Sequence, residues 1–267
     1  MDAICLSSEQ SARRHPMPVF ESEAIVLRSF PLGEGDRLVS FLSRTHGRMR
    51  GVASGARKPK SRFGGTLEPL SYIRIWFYER ETRELVRINQ TDLLESFLDV
   101  QSDYLAGVSL ALASDVTEAV LGEREVAEPN FRLLLATARA LKGGAKPPLA
   151  LAYFALWTVR LGGWLSRLDR CARCAAAFHA GAGAHVGVTG VLLCESCRIQ
   201  GQPLLSHSAL ELAKCMLKEK LETLMSQQLA VGAYTELRDH MLDIIEHHIE
   251  RRLQARQLLL GSLESLS

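Results

Sequence analysis

The chain has 267 residues, 47% hydrophobic and 23% charged, a balance that excludes a disordered chain and allows one large domain or two ordinary ones. The formal net charge of +2 conceals an asymmetry: residues 37–67 hold eight Lys/Arg and no Asp or Glu, leaving 24 basic against 30 acidic residues elsewhere. A cationic block on an acidic body is a localised patch, and that matters more for binding than the total.

In chain order, the opening stretch MDAICLSSEQSARRHPM lacks the long apolar core of a signal peptide. Residues 1–17 read as an extension expected to be disordered, with Met17 a candidate start. Residues 18–95 read as β. EAIVLRSF is a strand, GEGD a turn, RLVSFLSRTHG a second strand closed by Gly47, and RMRGVASGA a third. SYIRIWFYE is the clearest: Ile73, Ile75 and Phe77 alternate with Tyr72, Arg74, Trp76 and Tyr78. RET then turns the chain into ELVRINQT. Five short strands in so small a span predict a closed barrel of the OB type, since an open sheet would leave edges exposed.

Residues 96–255 read as a helical domain. Helical spacing covers 104–121; a second helix, 130–144, stops at two glycines; Pro147 and Pro148 open a third to about Leu165. LALAYFALWTVRLGGWL is the most membrane-like stretch, but it is barely long enough to span and carries Arg160, so a buried core helix is expected and the protein is placed in the cytoplasm with no membrane contact. Ser208 and Glu211 have capping-box spacing at the start of a helix to about Gln228. The last helix puts Tyr234, Leu237, Met241, Ile244, Ile245, Ile249 and Leu253 on one face, and 256–267 is left as a tail.

The helical part is interrupted at 171–197 by CARC and CESC. Cys171, Cys174, Cys194 and Cys197 have the spacing C-x2-C, 19 residues, C-x2-C. Each tight turn aims two thiolates at one point, and two turns complete a tetrahedron around Zn²⁺. Four thiolates leave no place for activated water, so the zinc is read as structural. Redox disulfides are the other reading of the pairs. His179 and His185 lie in the same loop, whose glycines suit a hairpin; either could replace a cysteine, but with four cysteines available both read as surface residues. Cys5 and Cys215 stand apart from the pairs.

The basic block peaks in GARKPKSRFGG, residues 55–65, where Arg57, Lys58, Lys60 and Arg62 have no acid among them. A solvated loop is the bland reading. The sharper one is a phosphate-binding surface, because OB barrels join a basic groove to aromatic stacking platforms. Phe63, Tyr72, Trp76 and Tyr78 are the neighbouring aromatics, with packing and stacking both open to them. The glycine spacing fails a Walker A motif. No catalytic motif is found; His247 and His248 project about 100° apart on a helix and read as surface residues, so a non-enzymatic protein is expected.

The segment EAIVLRSFPLGEGDRLVSFLSRTHGRMRGVASGARKPKSRFGGTLEPL resembles the start of the bacterial RecO family, through its AIVL strand, its GE-x-D turn and KSRFG-x-x-LEP. The order of barrel, helices and interrupting cysteine pairs also resembles that family, over roughly 18–250. The resemblance implies an α+β protein in which an N-terminal OB-fold precedes an all-helical domain interrupted by a four-cysteine zinc segment. It implies a recombination mediator in DNA repair that binds single- and double-stranded DNA and anneals complementary strands. With RecR, and in some organisms RecF, such a mediator loads RecA onto strands coated by single-stranded-DNA-binding protein, whose C-terminal tail it recognises through the helical domain. Arg37, Arg57, Lys58, Lys60 and Arg62 fall on motif positions of the family's basic surface, so DNA contact is carried to them. Not all members keep the four cysteines, so the shared activity does not need zinc. The alternative is a zinc-ribbon RNA-binding or transcription factor, distinguishable by dependence on 2′-hydroxyls.

Overall fold

The computed structural model describes residues 18–79, 84–179 and 181–264; the extension with Cys5 and Met17, and the turn expected at 80–82, lie outside them. Five strands, β1 (Val19–Leu32), β2 (Asp36–Ser43), β3 (Gly47–Ala53), β4 (Tyr72–Tyr78) and β5 (Val86–Glu95), close into a barrel in the order β1-β2-β3-β5-β4. All pairings are antiparallel except β3 with β5. The alternation in the sequence sorts the faces as expected. Ile73, Ile75 and Phe77 fill the barrel with Ala24, Val26, Val39 and Phe41, while Arg74, Trp76 and Tyr78 face out.

A bulge interrupts the β1–β2 register between Val26 and Arg28. One extra residue reverses the side-chain parity of the rest of β1. Ser29 therefore opposes the inward Val39, and Phe30 opposes Leu38 on the outside.

The long β3–β4 connection has its own anchors. Phe63 and Leu67 are 1% and 2% exposed and belong to the barrel core. Thr66 Oγ1 meets Thr91 Oγ1 at 2.6 Å, and the Gly55 amide donates to Asp36 Oδ1 at 2.8 Å.

A 3-10 turn at Asp99–Ser102 leads into helices α1 (Tyr104–Val120), α2 (Glu128–Lys142) and α3 (Pro147–Leu161), and, beyond the cysteine segment, α4 (His207–Met216), α5 (Leu221–Met225), α6 (Val231–His248) and α7 (Gln254–Glu264). Asp103 caps α1 by accepting from the Ala106 amide at 3.0 Å. Prolines open α2 and α3 in the first turn, where a missing N–H costs nothing. The apolar stretch around α3 is a core helix, and no helix among the described residues is long and apolar enough to cross a membrane.

Three local expectations are corrected. Ser206, not Ser208, caps α4, and its backbone amide donates to Glu236 Oε1 at 2.6 Å, so Glu236 on α6 takes the place expected of Glu211. The helix expected to reach Gln228 breaks after Met216 into α4 and α5. The last amphipathic helix stops at His248; Glu250 turns the chain with φ +53, and α7 then forms within the stretch set aside as a tail.

Barrel and helices share one core. Ile25, Leu27, Leu42 and Tyr72 leave the barrel on its outer side and pack with Phe131, Leu110 and Val116 of the helical cluster. Ser114 Oγ donates to the Leu27 carbonyl at 3.1 Å, and Arg28 pairs with Asp115 and Glu118.

Candidate nucleic-acid interface and metal site

Folding divides the eight cations of the basic block into two sets. Arg44 pairs with Glu23 and Glu128 at 2.9 and 3.0 Å, and its hydrogen bond holds the Glu23 carboxyl below the usual carboxylate range. Arg48 lies 3.6 Å from Glu123, and Arg50 lies 2.6 Å from the same carboxylate and 3.7 Å from Glu84. Arg37 reaches Glu68 at 3.2 Å and Ser29 Oγ at 3.0 Å. The acids that meet these four arginines come from outside the block, so no local window shows the compensation.

Arg57, Lys58, Lys60 and Arg62 form the second set. All four are exposed or half-buried at the surface, and none has a carboxylate partner among the described residues. Their loop is positioned, not merely solvated. The Arg57 amide donates to the Gly35 carbonyl at 3.0 Å and its guanidinium to the Gly33 carbonyl at 2.9 Å, tying the loop to the β1–β2 hairpin. Phe63 and Leu67 pin the following residues into the barrel. The Arg62 guanidinium lies 4.9 Å from the Phe63 ring centroid. The arrangement puts four exposed cations on one anchored loop at one end of the barrel, able to neutralise anions brought to it.

Burial separates the aromatics. Phe63 is in the barrel core and Tyr72 packs on Phe131 with centroids 6.1 Å apart, so neither offers a free ring face. Trp76 and Tyr78 remain half-exposed on the outer side, and Trp76 Nε1 donates to Glu21 Oε2 at 3.0 Å. Arg87, on β5, is one further exposed cation without a carboxylate partner among the described residues. It escapes a search for charge clusters because Val86 and Ile88 flank it.

The four paired cysteines converge. Their Sγ atoms all lie within 4.8 Å of one another, and Cys174 and Cys194 are 3.8 Å apart. A tetrahedron with metal–sulfur bonds of ~2.3 Å has edges of ~3.8 Å, so the quartet fits a thiophilic ion. Burial raises the Cys171 pKa, but the backbone amides of Cys174, Cys194 and Arg173 outweigh it and bring the thiol to about 6. Burial and then hydrogen bonds from the other thiols push Cys197 up to about 12. One sulfur is thus held as thiolate by backbone donors, as a metal ligand requires.

The segment between the pairs forms the hairpin its glycines suggest. Strands β6 (Ala184–Val186) and β7 (Leu192–Leu193) pair, and β8 (Leu204–Leu205) adds to the other edge of β6. Gly190 has φ +84, and a Cβ there would collide with the Trp164 carbonyl, so the hairpin tip sits directly on the chain after α3. The Ser166 amide donates to the Gly190 carbonyl at 3.1 Å. Neither histidine of the loop joins the sulfurs. His185 is buried rather than at the surface and meets Glu195 at 2.7 Å, and His179 stands apart from the cluster. His247 and His248 lie at the surface, and His248 stacks on Trp164 at 4.4 Å. Cys215, on α4, is outside the cluster.

The chain matches the family model for the N-terminal part of recombination protein O over residues 17–97, and that for the C-terminal part over 101–257. It is 35% identical over 233 residues to the DNA repair protein RecO of Koribacter versatilis, covering 87% of this chain and 95% of the relative. It is 32% identical to the RecO of Frankia casuarinae over 245 residues, 90% and 97% of the two chains. To that of Anaeromyxobacter sp. strain K it is 31% identical over 237 residues, 88% and 93%.

Proposed function

The chain belongs to the RecO family of DNA repair proteins, and from that premise we propose that it is a non-enzymatic recombination mediator. It binds single- and double-stranded DNA and anneals complementary strands. With RecR, and with RecF where that protein is used, it helps load RecA onto strands coated by single-stranded-DNA-binding protein. The barrel acts as an OB-type DNA-binding domain. The helical part docks protein partners, including the C-terminal tail of the coat protein.

The observation that carries this reading is the anchored quartet Arg57, Lys58, Lys60 and Arg62, at the surface and free of carboxylate partners among the described residues. Arg37, opposite Ala53 where the loop leaves β3, is the fifth proposed contact, with Glu68 already holding its guanidinium. A phosphate backbone laid on the quartet releases condensed counterions, which supplies affinity without base specificity. Two strands on one cationic surface repel each other less, so pairing accelerates without nucleotide hydrolysis.

The cysteine quartet would hold Zn²⁺ through Cys171, Cys174, Cys194 and Cys197, and a closed set of four sulfurs gives the ion a structural role. Its task is to fold the 171–197 segment onto Trp164 and His248 so that the surrounding helices pack one way.

Annealing of two dye-labelled complementary 30-mers, followed by energy transfer without ATP, tests the reading. The protein accelerates pairing at low protein-to-DNA ratio and loses the effect at saturation, when each strand is coated separately. No acceleration at any ratio, or a strict need for ATP, overturns it.

A further inference from the structure

The outer wall of the barrel carries a cross-strand row, rich in apolar side chains, that the helices leave uncovered. Phe30 opposes Leu38, Leu38 opposes Val52, Val52 opposes Arg87, and Arg87 opposes Tyr78, so the row crosses all five strands in register. Residues directly opposite each other in a sheet share a face. The inward neighbours identify which face it is: Ala53, Ile88 and Phe77 are all 0% exposed in the barrel core. Elsewhere on the outer wall Ile25, Leu42 and Tyr72 are buried against the helices, while Arg74 and Trp76 stay at the surface. At the uncovered end Phe30 is 48% exposed. Val52, Tyr78 and Arg87 line a groove of about 620 Å³ at the far end of the row.

The cation quartet stands at this same end. Arg57 holds the β1–β2 hairpin at Gly33 and Gly35, three and five residues beyond Phe30. The loop that carries the quartet leaves β3 immediately after Val52 and Ala53. An exposed phenyl ring in open water gains nothing by its position. Beside cations proposed to hold a phosphate backbone, it offers a flat apolar face to the bases of that strand. Aromatic faces of this kind stack bases regardless of sequence.

We infer that the part of this row next to the cation loop, Phe30, Leu38 and Val52, is the base track of the DNA site, with Phe30 stacking a base of a single strand whose phosphates lie on Arg57, Lys58, Lys60 and Arg62. This deepens the reading of the barrel as a DNA-binding domain and rests on it. Duplex DNA has its base faces occupied by neighbouring pairs, so it uses the cations alone. The track therefore confers a preference for single strands that the cations do not.

The test compares the full-length protein with Phe30→Ala and Phe30→Trp by fluorescence anisotropy. The probes are a labelled 30-mer single strand, a 30-mer in which bases are replaced by abasic sites, and a 30-base-pair duplex. Circular dichroism melting checks that each variant is folded. Stacking is worth ~1–3 kcal/mol per base, or roughly 5- to 150-fold in affinity. Phe30→Ala should weaken single-strand binding at least about fivefold, leave the salt slope unchanged, and bind the abasic strand and the duplex like the unaltered protein. Phe30→Trp should retain single-strand affinity. If Phe30→Ala binds the single strand as tightly as the unaltered protein while Arg57→Ala/Lys58→Ala/Lys60→Ala/Arg62→Ala does not, the base track is overturned and the phosphate reading stands. An equal loss on all three probes also overturns it, because stacking cannot act on an abasic strand. If the unaltered protein binds none of the probes, both readings fall together.

Discussion

Replacing Arg57, Lys58, Lys60 and Arg62 by alanine should change the salt dependence of single-strand binding by a calculable amount. Each phosphate neutralised on a single strand contributes about 0.7 to the slope of log affinity against log salt. Four surface cations acting together therefore account for about 2.8 of that slope. Between 50 and 200 mM salt, a slope of that size corresponds to roughly a 50-fold loss of affinity. The intact protein should show that loss in addition to whatever its other cations contribute, and the fourfold variant should lack it. Arg37 provides an internal control, because Glu68 and Ser29 already hold its guanidinium. Arg37→Ala alone should flatten the slope less than Arg57→Ala alone. Anisotropy of a labelled 30-mer over four or more salt concentrations measures both. Slopes for the intact and fourfold-substituted proteins agreeing within half a unit would refute the assignment of phosphate contact to this loop, whatever the absolute affinities.

Phe63→Ala leaves every charge in place but removes the loop's anchor from the barrel core, so it should cost about 3–5 kcal/mol in urea unfolding and weaken DNA binding in parallel; unchanged affinity in a destabilised variant would show that the loop's position is irrelevant. The purified protein should contain one equivalent of zinc by elemental analysis. Cys171→Ser should lower that content and expose the 171–197 segment to protease while the DNA salt slope persists, whereas a metal-free protein with a protected segment would overturn the structural-zinc assignment. His46 packs edge-on to Phe20 and Phe77, at centroid distances of 5.2 and 5.3 Å, and burial lowers its pKa below the ordinary 6.5. The unfolded chain then binds the proton more readily, so this group's contribution to stability is lost as pH falls from about 6.5 through the lower folded value. Thermal melts between pH 7.5 and 5 should show a decline that is reduced in His46→Phe; an identical decline in both proteins would assign it to other groups.

What could be read in the sequence was whatever depends on neighbours in the chain. The alternation through Ile73, Ile75 and Phe77 predicts an inward face because side chains alternate along any strand. The two C-x2-C pairs name their own site, since a tight turn suffices to bring two sulfurs together. The four paired arginines of the basic block escaped because their acids arrive from other elements: Glu23 from β1, Glu68 from the loop, Glu123 from beyond α1 and Glu128 from α2. A count of charge along the chain overstated the free cation cluster about twofold for that reason. Phe30 escaped for a different one. Straight alternation from Ala24 and Val26 would point residue 30 into the barrel, and only the bulge near Leu27 turns it out. The substitution of Glu236 for Glu211 at the start of α4 is likewise tertiary, for a cap from another helix leaves no local spacing to detect.

The placement of the two ends of β1 bears on how a strand could be passed between partners. The outward side chains at Ile25 and Leu27 are buried in the helical core, and Phe30 to Gly33 reach the cation cluster. At about 3.3 Å per residue, the seven steps from Ile25 to Leu32 span roughly 23 Å. The junction is fixed by more than apolar contact. Asp115, with its side chain 11% exposed, takes Arg28 from the barrel at 2.5 Å and Arg251 from beyond α6 at 3.4 Å, and Glu118 takes Arg28 as well. Removing Asp115 would leave Arg251 without this carboxylate and Arg28 with Glu118 alone, which weakens the polar part of the junction. Barrel and helices are thus held as one body about a shared core, not strung on a linker. Under the proposed reading, a strand bound at the cation end keeps a set distance from the helical surface. Under the proposed reading the strand is freed by competition for its phosphates, because the shared apolar core holds the barrel against swinging on the helices.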